Sequence, residues 1–345
     1  DIERHYHTSP DLYKKELNDF LAARKVKIRV NTCEALIATF RRRLILQLIM
    51  PVFRRCDAFT GGIIEAPDIG LEEASTLYNV AALHSILGVK ERRPDADSMK
   101  VACTHFQCAA WALDAINERH SMVGVSPDLT TQLIRALSMI MTAQAQECIV
   151  EKSVLDDRPA NITAKLTQYL AQTYENASAE LSLPSVIANL PAKYQKDWRR
   201  RCQVKGVYYG SLAAYYSGQN EENNKMYGRA IAWFQVAVQR IGEAEKLVKD
   251  VKDLAEQPFP VSPGGPLRNN IQHVSSVFQT KLTALIKDND FIYHETVPSA
   301  DSLEQVKPAC LVKGVPFDHN DPEVRGPDIF QSLVPMKTLE ATSIY

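Results

Sequence analysis

Apolar residues recur along most of this chain at the three- and four-residue spacing of one-sided helices. Residues 10–30 carry the pattern on Leu12, Leu17, Phe20 and Leu21, and 32–50 carry it on Leu36, Phe40, Leu44 and Leu48 until Pro51 stops it. From Leu71 onward the spacing predicts helices in series over 71–88, 98–122, 127–155, 159–182, 191–217 and 222–255, then a last one from Leu267 to Lys287. Breaks are expected at Gly88, Gly124 to Pro127, Pro159, Pro184, Gly218 and Pro258 to Pro266, where glycine and proline interrupt the period. Between Val52 and Ile69 the Gly61-Gly62 pair and Pro67 erase the helical pattern, which predicts a short strand or loop. After Lys287 the spacing turns extended through Phe291, Tyr293, Val297, Leu311, Val312, Pro316 and Pro327.

Two of these helices share a template of large, small, aromatic and small residues: Met99, Ala102, Phe106 and Ala109, then Tyr227, Ala230, Phe234 and Ala237. Small residues let two helices approach, and the aromatic fills the gap between neighbouring hairpins. The template is similar to the second helix of a tetratricopeptide-like hairpin. A first-helix half precedes the second copy, on Tyr209, Gly210, Leu212, Ala213, Tyr216 and Gly218, followed by a polar turn. The implied fold class is mainly all-α: an elongated α-solenoid of helical hairpins, with a small β element near the N-terminus and an extended C-terminal segment. Stacked helices extend a core along one axis without separate globules, so 345 residues are expected to form one domain. Its parts would be opening helices and a strand or loop over 1–70, a helical core over 71–290 and a tail over 291–345. Solenoids mostly bind.

Charge and chemistry narrow the binding classes. Forty Lys and Arg against 41 Asp and Glu leave a net charge of −1, which argues against a nucleic-acid partner. Basic runs at Arg41 to Arg43, Arg54 to Arg55 and Arg199 to Arg201 suit solvated helix faces or, as a second reading, an anionic membrane surface. Seven scattered cysteines in helical, apolar stretches suggest reduced cytosolic thiols. The apolar run Leu44 to Val52 is too short to span a membrane. The triplets Asn161-Ile162-Thr163 and Asn176-Ala177-Ser178 sit in a predicted helix and read as chance glycosylation matches. Cys103, His105 and Cys108 fail as metal ligands, because at about 100° per residue His105 points away from Cys103. Asp288, Asn289 and Asp290 lack the glycine and closing Glu of a calcium loop and read as a helix terminus. No phosphate loop, nucleophile elbow or cysteine-phosphatase motif is present, so neither catalysis nor a cofactor is expected. An enzyme would need a pocket that sets His84 or His105 beside a carboxylate. A first residue Asp1 and a last residue Tyr345 suggest a piece of a longer polypeptide.

Four blocks carry a family resemblance: Leu77 to Leu83 (LYNVAAL), Cys103 to Ala110 (CTHFQCAA), Ala143 to Glu147 (AQAQE), and Lys287 to Glu295 (KDNDFIYHE) continuing through Val297-Pro298. They resemble the Bro-one domain of Alix and its relatives. Gly326 to Phe330 with Leu333 to Met336, and Glu147 to Lys152 followed by Ser153, resemble its His-domain protein tyrosine phosphatase branch. The match runs from about residue 6 to the end; the family's opening strands precede residue 1, and 31–70 match poorly and read as shortened.

The resemblance implies a boomerang-shaped, monomeric, non-catalytic scaffold that is cytoplasmic and recruited to endosomes. Its partner would be the C-terminal amphipathic helix of an ESCRT-III subunit, with other endosomal sorting adaptors as further candidates. The family's apolar docking patch falls on Ile149, where Alix has Phe, and on Ile162 and Leu166, with Lys100 as a nearby cation; Thr104 stands where Alix has Lys. Spacing agrees in part, since Ile162 and Leu166 share a helix face and Ile149 ends the preceding helix. Ile162, Leu166, Tyr169, Leu170 and Thr173 equally form an ordinary buried stripe, and both readings stand at this point. Tyr293 matches a tyrosine linked to Src-type kinase recognition and is a candidate phosphorylation site; alternatively Phe291 and Tyr293 anchor the tail by packing.

Overall fold

The computed structural model describes residues 52–120, 126–251 and 264–316. The helices expected over 10–30 and 32–50, the Arg41 to Arg43 cluster, the start of the Pro258 loop and the tail block from Gly326 lie outside the described residues. Strands β1 (Phe53–Cys56) and β2 (Ile63–Ala66) pair in a two-stranded sheet. Eight α-helices follow among the described residues: α1 (Ile69–Lys90), α2 (Ala96–Arg119), α3 (Thr131–Leu155), α4 (Ala160–Glu180), α5 (Pro184–Asn189), α6 (Ala192–Asn223), α7 (Tyr227–Val248) and α8 (Gly264–Asp288). A π-helical turn (Asn289–Tyr293) closes α8, and one 3-10 turn (Ala300–Ser302) interrupts the extended stretch after it.

The chain divides into two compact units, one taking in residues 1–54, 65–76 and 316–345 and the other 55–64 and 77–315. In the first, Arg54 Nε pairs with Glu65 across the strands at 3.1 Å. Leu71 and Ala74, in the first turns of α1, are buried. The second unit holds the helical body and the turn of the hairpin. In that turn Gly61 has φ 73°, a left-handed value that suits a residue without Cβ. Asp57 Oδ1 accepts from the backbone of Phe59 at 2.9 Å and of Thr60 at 2.7 Å. Burial opposes the Asp57 charge, but these hydrogen bonds outweigh it and hold the carboxyl below its ordinary value.

Within the helical body, α2 packs along α3, α3 along α4, α4 along α6, α6 along α7 and α7 along α8. This is the ladder of sequence neighbours expected of stacked hairpins. The repeat template explains its spacing. Gly88 of α1 and Gly218 of α6 each lie against an aromatic ring of the following helix, and a Cβ there would come within 2.8 Å of Phe106 or Phe234. Both glycines were expected to end helices. Instead α1 runs on to Lys90 and α6 to Asn223, because each glycine serves as a socket inside the helix rather than as a stop. Pro184 likewise opens α5 at its first turn, where a missing N–H costs nothing. Phe291 and Tyr293, expected to be extended, belong to the π-helical turn, and His294 leaves it with φ 54°.

In helix α3 every residue from Ala143 to Cys148 is buried. Glu147 accepts from Lys205 Nζ of α6 at 2.7 Å and from Tyr174 Oη of α4 at 2.6 Å, so one carboxylate ties three helices. Burial first, and the Glu147 charge second, push the Tyr174 and Tyr209 hydroxyls well above their ordinary range. The basic runs are partly structural as well. Arg55 pairs with the buried Asp128 at 2.5 Å, Arg201 with Asp197 at 2.8 Å, and Arg200 with Asp250.

Two outcomes follow from this packing. Gly218→Ala gains about 1 kcal/mol of helix propensity but overpacks Phe234 at about 1–3 kcal/mol. Denaturant unfolding should therefore show net destabilisation that shrinks in a Phe234→Leu background. Burial pushes the Cys103 thiol up to about 11 and those of Cys148 and Cys202 up to about 12, whereas Cys56 and Cys310 are exposed. Mass spectrometry after native alkylation at mildly alkaline pH should find Cys56 and Cys310 modified and the other three protected.

Candidate partner-helix docking site

The extended segment after the last 3-10 turn is a strap across the body. Ala309 N donates to the Lys165 carbonyl of α4 at 3.0 Å. Gln146 of α3 donates to Ala309 O at 3.2 Å and accepts from Leu311 N at 3.3 Å. Gln107 of α2 donates to Lys313 O at 2.9 Å, and Val315 N donates to the Gln107 carbonyl at 3.2 Å. Between these two anchors Gly314 presses on the backbone of Trp111, where a Cβ would sit 3.1 Å from Trp111 Cα. Three successive helices thus lend one polar anchor each to an otherwise unpaired strand.

The predicted patch lies beside this strap. Arg93 pairs with Glu151 at 3.1 Å, and Asn117 Nδ2 donates to Thr131 O at 3.2 Å, so α2 and α3 run antiparallel. Ser153 and Thr163 share a hydrogen bond of 2.8 Å, while Gln146 Nε2 lies 3.5 Å from Leu166 O, which sets the same antiparallel register for α3 and α4. Ile149 falls between these two rungs, level with Ile162 to Leu166. Lys100, Thr104, Gln107 and Trp111 form one stripe of α2 at helical spacing. Lys100 therefore stands on the Ile149 side of the strap, on the order of 10 Å along the axis from Gln107 at about 1.5 Å per residue.

Exposure sorts the candidates. Ile162 is 39% exposed, Ile149 is half-buried, and Lys100 and Thr104 are exposed. Leu166 is only 1% exposed and belongs to the core between α3 and α4, so its expected place on the docking surface is corrected. Residue 166 faces inward because it sits at the α3 rung held by Gln146, whereas Ile162 lies one turn further out. The Thr104 hydroxyl folds back to Lys100 O at 2.9 Å. The exposed Leu311 of the strap extends the apolar surface. The strap and its glutamine anchors carried no assigned role in the sequence, although polar residues inside the apolar run Ala143 to Cys148 signal buried partners.

The other candidates resolve differently. Tyr293 is 39% exposed and stacks on Tyr227 with centroids 3.6 Å apart. The hydrogen bond with Tyr227 is the main cause that raises its hydroxyl pKa. Nearby Glu295 Oε2 accepts from Gly228 N at 2.7 Å, pinning the tail to the start of α7. Tyr293 is thus an anchor, but Phe291 is 76% exposed and is not. His84 and His105 face each other with Nδ1 atoms 3.0 Å apart. Among the described residues no cluster of His, Cys, Asp or Glu could hold a metal, and no helix is long and apolar enough to cross a membrane.

Residues 2–345 match the family model of the BRO1-like domain. The chain belongs to that family. Among relatives, it is 36% identical over its whole length to mouse tyrosine-protein phosphatase non-receptor type 23, of which it spans 20%. Over 84% of its length it is 30% identical to the vacuolar protein-sorting protein BRO1 of Gibberella zeae, spanning 29% of that protein. The chain therefore spans less than a third of either relative. Among solved structures, the BRO1 domain of ALIX in its complex with CHMP4C superposes with a TM-score of 0.72 at 22% identity, covering 95% of this chain and 83% of that one. The BRO1-like domain thus has the fold of the ALIX BRO1 domain, as the helical blocks imply.

Stability separates the two patch residues. Leu166→Asp puts a carboxylate into the core of this BRO1-like domain and should cost at least about 3 kcal/mol. Ile162→Asp changes a surface position and should stay within about 1 kcal/mol of the parent. Thermal and denaturant unfolding of both variants measures the difference.

Proposed function

We propose that this chain is an endosomal-sorting adaptor domain that docks the C-terminal amphipathic helix of an ESCRT-III subunit across Ile149 and Ile162. The exposure of Ile162 at 39%, beside Ile149 and along the edge of a backbone-anchored strap, carries this reading. Aliphatic side chains that remain accessible on a rigid helix pair offer a partner helix the apolar stripe it needs, with its i, i+3 and i+4 positions as anchors. Lys100 at the rim supplies a cation for an acidic side chain of that partner. Thr104, turned back on its own helix, adds no second charge. The shared fold with an ALIX domain solved together with CHMP4C, and a relative named for vacuolar protein sorting, support this assignment.

In this role the chain acts as one non-catalytic domain, cytoplasmic and brought to endosomes through its partner, and chemistry is left to other molecules. The runs at 54–55 and 199–201 favour this reading over direct membrane attachment, since Arg55, Arg200 and Arg201 are held in ion pairs. Affinity comes from desolvating the two isoleucines, and the lysine contributes orientation and encounter rate.

Fluorescence anisotropy with a labelled ESCRT-III tail peptide tests the assignment. Ile162→Asp should weaken binding by about 2 kcal/mol, roughly thirtyfold, with an unchanged circular dichroism spectrum. Lys100→Glu should lose less, and that loss should fade at high salt. Undiminished affinity of Ile162→Asp would remove the patch as the docking site.

A further inference from the structure

A concavity of about 320 Å³ opens where the start of α4, the end of α6 and the start of α7 meet the chain that leads into the strap. Asn161 and Lys165 of α4, Asn220 of α6 and Trp233 of α7 line it, together with Glu304 to Lys307. Its volume lies at the small end of the range of about 300–1,000 Å³ typical of binding sites, which suits a side chain or two rather than a helix. The concavity borders the proposed docking face. Asn161 directly precedes Ile162, and Lys165 lies one turn on, about 60° around α4 from Ile162 at 100° per residue. The hydrogen bond from Ala309 N to Lys165 O fixes the lining segment and the strap to the same helix.

The polar groups of this concavity define what it can accept. Arg229 Nε pairs with Glu221 at 3.3 Å, so these two charges cancel in place. Lys165 and Lys307 are exposed, and among the described residues neither has an ion-pair partner. Two ammonium groups therefore share the lining with one remaining carboxylate, that of Glu304. Asn161, Asn220 and Gln305 can each turn an amide N–H inward, and the Trp233 indole can only donate. The lining has an excess of donors and one uncompensated positive charge. A basic side chain entering it would meet repulsion, and an apolar one would cover the donors without satisfying them. A carboxylate would gain charge-assisted hydrogen bonds.

We propose that this concavity is an acidic-residue subsite of the docking face, in which the segment flanking the docked helix beyond Ile162 places an Asp or Glu side chain between Lys165 and Lys307. The inference rests on the docking reading above and adds a rule for choosing among partners. Ile149 and Ile162 accept any helix with an apolar stripe, whereas the two lysines favour an acidic flank and reject a basic one. Lys100 on α2 and the lysine pair beside α4 stand at the two edges of the strip formed by α2, α3 and α4. Charge thus selects the partner at both edges, and desolvation of the isoleucines holds it between them.

Fluorescence anisotropy on the whole 345-residue chain tests this, using one labelled ESCRT-III tail peptide extended at either end by a run of glutamate, glutamine or lysine. At low salt the glutamate flank should bind about three- to fivefold more tightly than the glutamine flank, the size of one or two exposed ion pairs, and the gap should close at high salt. The double variant Lys165→Glu, Lys307→Glu should reverse the order of glutamate and lysine flanks at one end of the peptide and leave the glutamine-flanked peptide unchanged. Replacing both lysines by Arg should keep the parent order. Lys287→Glu, an exposed position on α8, should alter nothing. If the glutamate preference persists at both ends in the double variant, or falls equally in Lys287→Glu, the subsite is overturned while docking stands. If Ile162→Asp fails to weaken the glutamine-flanked peptide, the docking reading falls and takes the subsite with it.

Discussion

Helix α3 carries Gln144, Gln146 and Glu147 into a fully buried stretch, and much of the body is arranged to satisfy the last two. A carboxylate removed from water is tolerable only with a partner, which is why Lys205 and Tyr174 converge on Glu147 from two other helices. A buried amide has the same requirement at lower stakes, and Gln146 meets it by holding the C-terminal strap. The alanines between them let neighbouring helices close on α3. The run from Ala143 to Glu147 therefore acts as a junction: one side fastens the strap and another fastens α4 to α6.

This junction also fixes where binding surfaces can exist. The strap occupies the level of Gln107, Gln146 and Lys165, and so leaves free the strip one turn further along, where Ile149 and Ile162 emerge beside Lys100. Because the strap pairs through its backbone with three successive helices, its edge forms a rigid wall rather than a loose tail. The two glycine sockets work at the other scale. By letting Phe106 and Phe234 approach neighbouring helix backbones, they set the spacing of the hairpins on which the docking face depends.

Much of this was legible in the chain. The large, small, aromatic, small template identified the hairpins, and the positions of Phe106 and Phe234 were the informative ones. Gly88 and Gly218 were misread as stops because glycine weakens a helix in isolation, and only the facing ring reveals that its missing side chain is what the packing needs. Two arginines of the basic runs were misread in the same way, while Arg54 and Arg199 are exposed as a solvated face requires. Arg55 and Arg201 look like surface charge until Asp128 and Asp197 are brought to them, one from a distant segment and one from a neighbouring turn.

The sequence by itself determined the helical class, the order of the helices and the family, because periodicity and small-residue spacing are local properties repeated over many turns. Tertiary structure alone decided which apolar residues of α4 face water. Ile162 and Leu166 share a face by helical spacing, yet one is accessible and the other lies in the core. The difference arises from the level at which α3 and the strap cross that face, and a crossing level is set by contacts between residues far apart in the chain, which no local pattern records.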